Sequence, residues 1–134
     1  VFQHVVIEIA AAIDPDLVGE YPALTHSGGG YFYDDVLEYR VWVHPHAGGE
    51  DLHEGDDYYY AFATFEEAAE CADETPGAEH PLVLVRQREC IGEPTPGVFE
   101  HVTVERITEW RVEWLADSKR TATSIPDFLR SRGQ

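Results

Sequence analysis

From Val36 to His44, Leu37, Tyr39, Val41 and Val43 alternate with Glu38, Arg40, Trp42 and His44. That period of two predicts a strand with one apolar face and one non-core face. Pro45 ends it, since proline has no N–H to give to a ladder. His46–Asp57 reads as a polar loop hinged at Gly48, Gly49 and Gly55. Tyr58–Ala63 resumes as a second strand. At Thr64 the period becomes helical: Phe65, Ala68, Ala69 and Ala72 share one face, with Glu66, Glu67, Glu70 and Glu74 mostly toward water. Thr64 is predicted to cap the Glu67 amide while Glu67 reaches back, and Thr75-Pro76-Gly77 stops the helix.

The flanks are less regular. In Phe2–Ile13, Val5, Ile7 and Ile9 alternate with Val6 and Glu8, which predicts a strand, although Ala10–Ala12 would accept a helix. Asp14-Pro15-Asp16 breaks it, and a short helical turn over Asp16–Gly19 follows. Tyr21–Asp35 reads as a loop containing Gly28-Gly29-Gly30. A phosphate cradle there would need a following helix and usually a lysine. Tyr31-Phe32-Tyr33 follows instead, and the one lysine is Lys119. Leu82–Glu89 is a strand that starts buried and ends exposed, and Glu93–Gly97 is a turn. In His101–Leu115, Val102, Val104, Thr108, Trp110, Val112 and Trp114 share a face. Arg106 interrupts that face, predicting a bulge near Arg106–Thr108. Ser124–Leu129 closes the chain as a capped helical turn.

These elements predict an α+β fold: an antiparallel or mixed sheet with one main helix packed on one face, a ferredoxin-like variant being the specific form. Residues 1–134 are expected to form a single domain, with 118–134 as a C-terminal extension carrying the short helix.

Charge narrows the functional classes. The chain has 134 residues, 26 acids against 9 bases, and a formal charge of −17. Such a field repels phosphate backbones and anionic lipid, so neither nucleic-acid binding nor membrane attachment is expected. A basic partner, a cation or plain solubility fits. Cys71 and Cys90 do not make a disulfide framework in a chain this size. No apolar run reaches membrane-spanning length and no signal peptide is visible, so a cytoplasmic location is expected. The chain opens at Val1 and contains no methionine, which leaves room for residues upstream.

The sharpest chemical cluster is the His44–Asp57 loop. His44, His46, His53 and Asp51 are the candidate ligands for a divalent transition metal, because imidazole and carboxylate suit such ions and two His with one carboxylate leave open positions. The alternative is a solvated acidic loop. A second cluster is aromatic. Trp42, Tyr31, Tyr33 and Tyr58 are the candidate partner-contact residues, since alternation cannot bury every ring in the chain and such side chains suit interfaces. The alternative is ordinary core and sheet packing. No Gly-x-Ser-x-Gly elbow is present, and neither cysteine opens a helix.

In GGGYFYDDVLEYRVWVHP, DDYYYAFATFEEAAE and TEWRVEWL the chain resembles a group of small bacterial proteins labelled GCN5-type acetyltransferases. That label implies an acetyl-CoA-dependent activity and an Arg/Gln-x-x-Gly-x-Gly/Ala turn opening a helix. The nearest text, Arg86–Gly92, lacks the second glycine and precedes Pro94 and Pro96. Three functional expectations follow. The first is a non-catalytic interaction module or accessory subunit that binds another protein within a larger assembly. The others are a metal-dependent enzyme using the His44–Asp57 loop and an acetyl-CoA-dependent acetyltransferase.

Overall fold

Five strands form one mixed sheet in the computed structural model, which describes residues 9–134. They are β1 (His26–Ser27), β2 (Asp35–Val43), β3 (Tyr58–Phe62), β4 (Leu82–Thr95) and β5 (Val98–Arg111). Two helices accompany them, α1 (Phe65–Glu74) and α2 (Ser124–Ser131). The strand order is β1-β5-β4-β2-β3, with β1 parallel to β5 and every other pair antiparallel. Most of the strand predicted over Phe2–Ile13 lies outside the described residues. Ile9–Ile13 are not a strand, although Ala12 and Ile13 donate to the Ala63 and Val36 carbonyls.

The α+β class holds. Because β3 and β4 both run antiparallel to the β2 between them, β3–α1–β4 is a single split crossover. A ferredoxin-like chain needs a second one; here β4 turns directly into β5 through Pro96-Gly97, with Gly97 at φ +80°. β4 runs past the predicted end at Glu89 to Thr95, and β5 starts early at Val98 but stops at Arg111, where Val112–Leu115 forms a 3-10 turn in place of the predicted strand end. The β4–β5 register shifts between the pairs Gln87–Arg106 and Glu89–Thr103, which puts the irregularity next to Arg106. β1, inside a predicted loop, pairs His26 with Thr108.

Alternation and helical period explain the core. Tyr39 and Val41 of β2, Val83 and Val85 of β4, Trp110 of β5 and Ala68 of α1 are buried together, with Phe65, Cys71 and Ala72 packed against them. The Thr64 hydroxyl accepts from the Glu67 amide and donates to the Glu67 carboxylate, fixing the start of α1. α2 contacts β5, and its Phe128 ring lies 4.7 Å from Tyr31.

The other face of β2 departs from its polar sequence. Glu38 and Arg40, placed on the non-core face by alternation, are fully buried. The Arg40 guanidinium donates to Glu38 Oε2 at 2.7 Å and to the carbonyls of Pro22 and Ala23 at 2.6 and 3.1 Å. It also lies 4.4 Å from the centre of the Tyr59 ring. Glu38 Oε1 accepts from the Gly19 amide at 2.8 Å. The segment before β1 is thereby strapped over the sheet. A charge can be buried when its donors are met in this way.

Candidate functional site

Three segments meet at the end of β2. The last β2–β3 pair is Val43 with Tyr58, so one step further along the ladder sets Asp57 opposite His44. On the other side, the chain leaving α1 comes back beside β2. Val43 bridges Ala78, the His44 amide donates to Gly77 O at 2.9 Å, and the Glu79 amide donates to Trp42 O at 2.8 Å. Glycine is required at 77: φ is +77°, and a Cβ there would sit 2.3 Å from the Gly49 nitrogen. Pro45–Ala47 forms a 3-10 turn after His44, and Gly48, at φ +102°, closes it. That turn carries His46 back toward Asp57.

The geometry around His44 follows. Asp57 Oδ1 lies 2.8 Å from His44 Nδ1 and 3.9 Å from His46 Nδ1, and Glu79 Oε1 lies 3.2 Å from His44 Nε2. Both His44 ring nitrogens are shielded from solvent, yet neither makes an aligned hydrogen bond among the described residues; the carboxylates stand near them and off axis. The Asp57 carboxylate is the main cause of a His44 pKa above its ordinary value. Glu79 adds to the shift and partial burial opposes it. One ligand atom each from His44, His46 and Asp57 lie within 4.8 Å of one another. Two imidazoles and a carboxylate at that spacing suit a divalent transition metal.

The other candidate ligands stand apart from this group. Asp51 Oδ1 accepts from the Gly55 amide at 2.7 Å and organises the loop tip. The His53 ring packs edge-on against Tyr58 at 5.4 Å. Asp57 closes the candidate loop, although Asp51 is the carboxylate named there as a ligand; Glu79 is marked by nothing local.

The four candidate contact residues are dispersed. Trp42 donates to Glu109 Oε2 at 2.9 Å and packs 4.9 Å from Tyr59. Both rings line a cleft of about 920 Å³, and His44, Asp57 and Glu79 form part of its wall. Tyr58, half-buried, donates to Glu50 O at 2.8 Å. Tyr31 is exposed. Tyr33 is buried edge-on against Trp110 at 5.9 Å, out of a partner's reach.

Compared with protein families, with curated proteins and with solved structures, the chain finds no match. Arg86–Gly92, the stretch nearest an acetyl-CoA turn, is strand throughout, within β4. No helix of the described residues is long and apolar enough to cross a membrane.

Proposed function

We propose that this protein binds a divalent transition metal through His44, His46 and Asp57, with the second carboxylate, Glu79, against the other ring nitrogen of His44. The supporting observation is the convergence of His44, His46 and Asp57 around an imidazole whose two nitrogens lack aligned partners. Two imidazoles and one carboxylate leave coordination positions for water or substrate, and the adjoining cleft offers room for one. A metal held there would supply Lewis acidity. The chain's own residues would orient what enters the cleft, Trp42 and Tyr59 as walls and Glu109 as an acceptor.

The test is equilibrium dialysis against zinc or nickel followed by elemental analysis. One ion per chain is expected, and His46→Ala and Asp57→Asn should each weaken binding about tenfold or more. His46 is exposed, so its removal leaves packing intact. Stoichiometry below a tenth of an ion per chain, or affinity unchanged in both variants, would refute the metal reading.

A second reading, an accessory subunit bound to another protein, is supported by β3. It is an outer strand paired only with β2, and its five residues carry no charge or proline. Such an edge accepts a further strand. Retention of a co-purifying protein that Tyr60→Lys abolishes is the expected result. Tyr60→Lys without effect on any complex removes this reading.

A further inference from the structure

The glycine run ahead of Tyr31 borders a second cavity of about 780 Å³, which shares no lining residue with the His44 cluster. Its size is that of a small-ligand pocket. Arg106 lines it and is unusual in this chain. Arg40, Arg86, Arg88, Arg111, Arg120 and Arg130 each have a carboxylate within 4.0 Å. Arg106 and the exposed Arg132 have none among the described residues, although acids outnumber bases 26 to 9, and of the two only Arg106 is partly buried.

Its guanidinium is held by neutral acceptors instead. Nε donates to Gln87 Oε1 at 2.6 Å and Nη2 to Gly28 O at 3.0 Å. Gln87 is itself fully buried and held in place. It accepts from the Thr108 hydroxyl at 2.8 Å and donates to the carbonyls of Gly29 and Phe32 at 3.1 and 2.9 Å. The network fixes the plane of the fork while leaving its charge unmatched and three of its five N–H groups free. Nearby, the amides of Gly29 and Tyr31 meet no protein acceptor among the described residues, while Gly30 between them is bridged to Ile91. All three residues have positive φ, between +66° and +86°. Unpaired amides in a turn beside a guanidinium favour an anion.

The walls define what the anion is attached to. Trp114, half exposed, offers an indole surface, backed 6.3 Å away by the buried Trp110, whose indole is tied to Gly29 O at 3.1 Å; Tyr31 also lines the cavity. Glu93 and Glu113 also line the cavity, so a doubly charged phosphate is repelled more than a single carboxylate. We infer that this cavity binds a small planar aromatic carboxylate, its charge on Arg106 and its ring against Trp114.

The experiment is a titration of the isotopically labelled chain with 2-naphthoate, followed by amide and indole NMR shifts. Neutral 2-naphthamide and inorganic phosphate serve as comparators. Saturable shifts are expected at Gly29, Gly30, Tyr31 and the Trp114 indole. The naphthamide should bind about tenfold more weakly or worse, as should naphthoate to Arg106→Gln, the loss of a charge-assisted hydrogen bond. Trp114→Ala should cost about fivefold, the scale of one aromatic contact. Should Arg106→Gln fail to fold, Trp114→Ala and the naphthamide comparison decide. Shifts that do not saturate, equal affinity for acid and amide, phosphate bound more tightly than naphthoate, or Trp114→Ala without effect would each overturn the assignment.

Discussion

Arg40 is the residue whose role differs most from its sequence context. It stands between apolar neighbours on a strand, and its donors are met by Glu38, by the strap carbonyls and, at 3.5 Å, by Glu109. Arg40→Met keeps the length of the side chain but orphans Glu38, and Glu38→Gln weakens the same pair from the other side. Each is expected to lower unfolding stability in urea, by about 3–5 kcal/mol for the arginine variant, which leaves a buried charge unmatched. The double variant should lose less than the sum. Additive losses would mean the two side chains act independently.

His44 supplies a pH dependence of the metal-free protein. The groups facing it are Asp57, Glu79 and His46. Its folded pKa is raised above the ordinary 6.5, first by Asp57. A raised folded value means that protonation favours the folded state. The contribution is therefore complete below 6.5 and is lost as pH rises through the folded pKa. Stability measured against pH should fall across that window, and His44→Gln should flatten the curve there. An unchanged slope in the variant would show that other groups set it.

At the scale of elements, Gly77 is the point on which the site depends. Ala at this position must take a left-handed φ and push a methyl into the Gly49 backbone. Gly77→Ala is expected to destabilise the chain by more than the roughly 1 kcal/mol usual for positive φ alone, and to weaken metal binding in parallel by displacing Glu79 and the His46 turn. Wild-type stability in that variant would contradict the close packing.

The β2–β3 hairpin and α1 were legible because their signals are local: alternation, a capping threonine, a glycine after the last turn. β1 was not, since two residues carry no period and only the distant β5 gives them a partner. Likewise Glu38 and Arg40 read as solvent-facing because polarity alone cannot announce a strap folded over from residues 19–23. Half of the candidate site was legible in the same sense. His44 and His46 lie in one short segment, whereas Asp57 joins them through register and Glu79 only through the return of the chain after α1.

For the whole molecule, a charge of −17 on 134 residues is a repulsive load that compaction increases. Screening relieves it, because the Debye length shortens from about 10 Å at 0.1 M salt to about 3 Å at 1 M. The melting temperature is expected to rise with sodium chloride over that range. The rise should be smaller in a variant with Glu66, Glu70 and Glu74 of α1 changed to glutamine. A melting temperature that falls or stays level with salt would show that the ion pairs of this surface outweigh its repulsion.

The strap over β2 has a consequence for traffic through the cleft beside it. Arg40 grips the carbonyls of Pro22 and Ala23, and the next residue, Leu24, is 90% exposed and forms part of the cleft wall. The threshold of the cleft is therefore anchored one residue from its edge, like a doorstep bolted from below. A molecule approaching His44 from that side meets a sill set by a buried guanidinium, and the sill's height is fixed by the interior of the sheet.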